Sequence, residues 1–295
     1  MEQLGALRRK HPGSDQVMVM LSSPASTAAL EAHGIPVFAD PSRAVQAMAA
    51  LALMARRRRD LYRLPEVVPV GKPLGDVGTE AAAKRVLAAA GLPVLPEELC
   101  VSADAATAAA DAMGYPVVAK IASPDILHKT EIGGVLLNLA DAAAVRAAFA
   151  LLMERARAHA PAARLEGVLV TPMVKGGVET ILGVQVDPTF GPLVLYGAGG
   201  TAVELYKDVA LASAPLTPDT ARALVDRVRS SALLRGWRGA AAGDEAALVD
   251  ALVRLSDFAL AHAGELESID VNPLLVRPQG ARCLDAVITL RNGQP

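Results

Sequence analysis

Residues 114–137, GYPVVAKIASPDILHKTEIGGVLL, set a lysine at the end of an apolar strand and follow it with a polar loop. Lys120 stands where a buried neighbour is expected, so its charge must meet an anion or a carboxylate. A triphosphate would serve, and so would a stem that carries the ammonium out to solvent. The loop offers Ser123, Asp125, His128 and Lys129, and ends in Gly133 and Gly134. Without a Cβ, their amides can approach phosphate oxygens closely, or the pair can simply make a turn. A second block, SIDVNPLLVRPQGARCLDAVI, begins at Ser268. Asp270 and Asn272 share one face of a strand by its two-residue period, and Asp285 on the returning strand of a hairpin can lie opposite. Amide and carboxylate oxygens with positions left for water and phosphate suit Mg²⁺; the alternative is an Asn-Pro bend whose acids face solvent. Between the blocks lies KGGVETILGVQVDPTFGPLVLYGAGGTAVELYKDV, with Glu179 early on a strand, a glycine-rich loop over 197–200, then Glu204, Lys207 and Asp208. GAGG lacks the spacing of a dinucleotide fingerprint or a Walker loop, which leaves a loop able to hold phosphate or substrate by backbone donors.

Bringing these blocks together takes a scaffold of alternating elements. Residues 16–21 (QVMVML) and 35–39 read as short buried strands, separated by a helix over 25–33 that Gly34 ends. Asp40 or Ser42 caps a helix reaching about Arg59. This is a β-α-β-α piece of a doubly wound sheet, too small to bury a parallel sheet on both faces, and it reads as the truncated end of a larger domain. Residues 63–78 carry three prolines and three glycines without strand or helix period, and form a linker. Thr79 then caps a helix over 80–90 and Ser102 one that stops at Gly114. Strands over 116–122, 134–139, 167–173, 179–186 and 193–196 follow, with a helix over 142–159 between the second and third. Two helices, 218–234 and 244–263, precede a hairpin of 268–276 with 282–290. The overall expectation is an α/β (α+β) chain with boundaries at 1–62, 63–78 and 79–295.

At 295 residues and 52% hydrophobic content, the chain can bury more than one core, although much of that content is alanine and reads as background. Its 29 basic and 31 acidic residues give no reason to expect nucleic acid or an anionic membrane as a partner. The basic run 56–59 suits the carbonyl end of a helix. Cys100 and Cys283 lack metal-ligand spacing and lie in different elements, which fits a reducing cytoplasm. No apolar run reaches the roughly 18 residues of a membrane helix. His11, His33, His159 and His262 fall in helical surface patterns and need no function.

Taken in order, GYPVVAK, SPDILHKT, GGV, VKGGVETILGVQVDPTFGP, GAGGTAVELYKDV and IDVNPLLV closely resemble the ATP-grasp region of ADP-forming (NDP-forming) acetyl-CoA and acyl-CoA synthetases, relatives of the succinyl-CoA synthetase beta subunit. The resemblance covers 79–290 and implies a two-lobed ATP-grasp fold. Residues 15–60 resemble the end of the flavodoxin-like ligase-CoA domain that precedes ATP-grasp in fused members. The family's CoA-binding domain and the segment with its principal phosphohistidine have no counterpart here, which implies a partner that carries them and brings CoA and a small carboxylic acid. The resemblance further implies that ATP or ADP is held by Lys120, Lys129, Gly133, Gly134, Glu179, Gly199, Gly200 and Glu204. Asn272 and Asp285 would then hold Mg²⁺, with Lys120 and His128 catalytic and His128 relaying phosphate; a histidine that only hydrogen-bonds phosphate is the plainer reading. Many members read DVxxRxAPL where this chain reads DVALASAPL, with Ala212 at the arginine position. A similar region also occurs beside acetyl-transfer domains, where it would act as a regulatory nucleotide-binding module without turnover.

Overall fold

A computed structural model describes residues 2–11, 13–61, 71–75, 77–126, 129–199 and 208–291. The chain divides into two compact units, 1–67 and 68–295. None of the helices among the described residues is long and apolar enough to cross a membrane.

In the first unit, α1 (Glu2–Lys10) precedes two parallel strands, β1 (Met18–Val19) and β2 (Val37–Phe38), with α2 (Pro24–Glu31) between them and α3 (Pro41–Leu61) after them. Ser23 accepts the Ser26 amide and Pro24 occupies the first turn, which fixes the start of α2. Asp40, rather than Ser42, caps α3, accepting the Ser42 amide at 2.7 Å. The strands are shorter than the apolar runs that announce them, because a lone parallel pair has no third strand to extend against. Leu30, Ile35 and Ala44 make a thin core, and Val45, Leu51, Leu53 and Met54 of α3 stay exposed.

The second unit holds two antiparallel sheets. Its smaller sheet has the order β3 (Glu98–Cys100), β6 (Gly167–Pro172), β4 (Val117–Ala122), β5 (Val135–Leu139). Every residue of β4 is buried, including Lys120. Helices α5 (Ala103–Met113) and α6 (Ala142–His159) pack on it through Ala106, Ala109, Ala110, Ala148 and Ala156. Alanine is therefore not background here: side chains without length let helix and strand backbones approach.

The larger sheet runs β11 (Ala281–Cys283), β10 (Leu266–Val276), β7 (Val178–Asp187), β8 (Gly191–Ala198), β9 (Val209–Ser213), with β12 (Ala286–Leu290) also paired to β10. Its core takes in α4 (Glu80–Ala89), α7 (Pro218–Asp226) and α8 (Glu245–Ala261). Burying a leucine such as Leu252 or Leu255 there contributes about 1.5–3 kcal/mol. Three expectations need correction. The helix expected over 218–234 ends at Asp226, because the Asp208 carboxylate accepts the Arg229 and Ser230 amides and the Ser231 hydroxyl donates to the Val225 carbonyl. Those groups would otherwise continue the helix. The returning strand of the hairpin is split at Leu284 and Asp285 into β11 and β12. His262, expected at the surface, is largely buried, with Nδ1 2.9 Å from Glu265 and its ring 4.5 Å from that of Phe258. Residues 62–70 and 76 of the expected linker lie outside the described residues, but the Gly71 and Leu74 amides donate to Ala261 and Glu265, tying that stretch to the end of α8.

Candidate functional site

Lys120, which lies within β4 rather than at its end, with Ile121 and Ala122 following in the strand, projects into a cluster of charge. Its Nζ donates to Glu80 Oε1 at 2.8 Å and to the Leu284 carbonyl at 3.0 Å, and lies 3.6 Å from Asp285. Glu80 stands in the first turn of α4, behind the Thr79 cap, and its other oxygen accepts from Lys129. Lys84, one turn further along α4, donates to Glu97 and to the Leu284 carbonyl and lies 3.5 Å from Glu80. Three lysines thus face Glu80, Glu97 and Asp285 in a balanced, mostly buried set. Sequence reasoning found Lys120, Lys129 and Asp285 but missed Glu80, Lys84 and Glu97. The available signal was the Glu80–Lys84 pair, one helical turn apart on a helix that apart from Arg85 is otherwise alanine and apolar residues.

Beside this cluster, Asp270 and Asn272 share the exposed face of β10, while Ile269 and Val271 turn to the core. The Asn272 amide donates to the Asp285 carbonyl at 3.3 Å, so the hairpin does bring Asn272 and Asp285 opposite each other. Desolvation, and then the Asp285 charge, push the Asp270 carboxyl up.

The glycines are placed differently from the sequence reading. The Gly133 amide donates to the Thr130 carbonyl and the Gly134 amide to the Lys129 carbonyl, so neither is a free donor. The Gly199 amide donates to the Glu179 carbonyl, and a Cβ at Gly199 would meet the Thr180 nitrogen at 2.6 Å. Gly134 and Gly199 come close to the chain's own backbone, whereas Gly133 has φ +63 and lies against the Arg155 side chain. Glu179 and Gly199 do meet, at a cavity of 530 Å³ that Thr180, Asp208 and Trp237 also line and that neither lysine nor Asn272 nor Asp285 reaches. Ala212 packs half-buried against the larger core, paired across from Val194. His128, Gly200, Glu204 and Lys207 lie outside the described residues.

The sequence matches the ATP-grasp domain family over residues 75–290. The chain is a member of the ATP-grasp domain family. Among its relatives is the acetate–CoA ligase [ADP-forming] I of Archaeoglobus fulgidus, 38% identical over 268 residues, which cover 87% of this chain and 39% of that protein. The chain therefore spans about two fifths of that relative's length. The beta subunit of acetate–CoA ligase [ADP-forming] II from Pyrococcus furiosus is 38% identical over 214 residues, covering 72% of this chain and 91% of the subunit. A solved structure of the dinucleotide-forming acetyl-coenzyme A synthetase 1 of Ca. Korarchaeum cryptofilum, in complex with coenzyme A, Ca-AMPCP and HgCl⁺, superposes with a TM-score of 0.70 at 38% identity, covering 72% of this chain and 93% of that one.

ATP-grasp chemistry implies a divalent metal, and the donors present fit one. Asn272 on β10 and Asp285 in the break between β11 and β12, joined by a backbone hydrogen bond, would supply hard oxygen ligands. Among the described residues, no group of three or more His, Cys, Asp or Glu could hold a metal. Two protein ligands of this kind need phosphate oxygens and water to complete the shell.

Electrostatically, the lysine cluster is tuned by Glu80. Burial pushes its carboxyl up, but Lys120, Lys129 and Lys84 together pull it from 4.5 down to about 2. Burial pushes the Lys120 ammonium down, and Asp285 and Glu80 more than reverse it, raising Lys120 overall. Because the folded value of Glu80 lies below the unfolded one, its contribution is fully present above about pH 4.5 and is lost as pH falls toward 2. The shift corresponds to about 3 kcal/mol. Urea midpoints for the wild type and Glu80→Gln are expected to differ at pH 6 and to draw together steadily as pH falls from 4.5 toward 2; a constant gap would rule out this linkage.

Proposed function

We propose that this ATP-grasp chain is the nucleotide-handling part of an NDP-forming acyl-CoA synthetase, which interconverts carboxylic acid, CoA and ATP with acyl-CoA, ADP and phosphate. The observation that carries the proposal is the juxtaposition of two lysines, Lys120 and Lys129, with the facing oxygen ligands Asn272 and Asp285. Lys120 and Lys129 take phosphate oxygens, and Asn272 and Asp285 hold Mg²⁺, which supplies charge neutralisation at the transferred phosphoryl group. Glu179 and Gly199, together with Gly200 and Glu204, border the nucleotide. His128, which lies between the two lysines in sequence, accepts the phosphoryl group and passes it to a histidine on a partner subunit or domain that also binds CoA and the acid. A neutral imidazole is nucleophilic near pH 7, which suits that role. The likeness to synthetase subunits of nearly the same extent supports this division of labour.

ATP is expected to stabilise the chain only when Mg²⁺ accompanies it, since two ligands hold the metal poorly without phosphate. At a hundredfold excess of ligand over Kd the gain is about 2.7 kcal/mol, visible as a raised melting temperature. A melting curve unmoved by millimolar ATP and Mg²⁺ would remove the nucleotide site.

A further inference from the structure

The lysines assigned to phosphate are already occupied. Glu80 bridges them, one oxygen on Lys120 and the other on Lys129, much as two oxygens of one phosphate group would. Its side chain is 3% exposed, so water does not screen the pairs. The three cations are not equally dependent on it. Lys84 has Glu97 and the Leu284 carbonyl, and Lys120 has the Leu284 carbonyl and Asp285. Lys129 has Glu80 as its ion-pair partner among the described residues. Without Glu80, Lys129 would be left with no ion-pair partner among the described residues and Lys120 with Asp285 alone at 3.6 Å, so the free protein needs an anion at this point. A polyphosphate entering a balanced cluster needs those same donors released.

We propose that Glu80 is a positioning residue that stands in for phosphate. In the free protein it holds Lys120 and Lys129 at the spacing of a bridging anion, and the entering polyphosphate exchanges with it. This rests on the nucleotide reading above and adds the group that presets the site. During exchange Glu80 keeps Lys84, 3.5 Å away on the next turn of α4, so its charge is not stranded.

Glu80→Gln in the full chain tests this, because it keeps the shape and removes the competing charge. The free variant is expected to melt at a lower temperature than the wild type. Its affinity for Mg²⁺–ATP and for inorganic tripolyphosphate, read by isothermal titration, is expected to rise about tenfold, the scale of one charge-assisted contact. Glu80→Asp, which keeps the charge, should bind both anions with wild-type affinity. A purely structural ion pair predicts lower stability with unchanged or weaker binding, and that result overturns the proposal while wild-type binding of Mg²⁺–ATP keeps the nucleotide reading. Binding of neither anion by the wild type overturns both. Should Glu80→Gln not fold, the wild type still decides. Saturation with Mg²⁺–ATP must shift the side-chain ammonium resonances of Lys120 and Lys129 and leave that of Lys84 in place, and an unmoved Lys129 signal defeats the exchange.

Discussion

Lys84→Met is expected to destabilise the chain by about 3–5 kcal/mol, the range for removing one member of a buried ion pair. The Lys84 side chain is 1% exposed, and its ammonium serves Glu97, Glu80 and the Leu284 carbonyl at once. Glu97 would be left worst, since its Oε1 is already buried without a hydrogen-bond partner. Methionine fills the space of the stem, so the loss reports charge rather than packing. Chemical denaturation of the variant, beside Arg222→Ala in the exposed Arg222–Asp219 pair, gives the contrast. The exposed pair is expected to cost under about 1 kcal/mol. A comparable, small effect at Lys84 would mean that the cluster is hydrated and contributes little.

His128→Ala is expected to abolish phosphoryl transfer to a partner that carries the CoA-binding and phosphohistidine domains, while nucleotide binding persists. The reason is a separation of roles in the proposed mechanism: lysines and metal hold the polyphosphate, and the imidazole only attacks it. With γ-labelled ATP, the wild type mixed with that partner should acquire acid-labile, base-stable label, and the variant should pass none onward. Full transfer by the variant would eliminate His128 as a relay and leave direct attack by the partner's own histidine. Label-free binding by the wild type would instead favour a regulatory nucleotide module.

The ordered motifs made the family legible, and the caps made the helix starts legible: Thr79, Ser102 and Asp40 each accept the amide that their position predicts. The chemistry around Lys120 was legible only in part. An apolar strand ending in lysine demands an anion, but nothing local says that the anion is Glu80, which in sequence reads as an acid suited to the positive end of a helix. Forty residues separate the two, and only the packing of α4 joins them. Glycines misled for a related reason. A glycine announces that something comes close, and at Gly134 and Gly199 that something is the chain's own backbone. Strand β9 went unannounced because VALAS carries little β-branching, and pairing along β8 overrides that weak propensity. The break after α7 likewise depends on Asp208, far back in the chain, taking the amides of Arg229 and Ser230.

Helix α4 belongs to two environments at once. Ala83 and Leu87 sit in the larger core, whereas Glu80 meets the small-sheet Lys120 and its loop neighbour Lys129 through charge. Parting α4 from those lysines would therefore hydrate chiefly ammonium and carboxylate groups. Hydrating polar surface lowers the heat capacity, whereas melting either core raises it strongly. An opening at this contact would carry a small or negative heat-capacity change, a calorimetric sign opposite to that of unfolding.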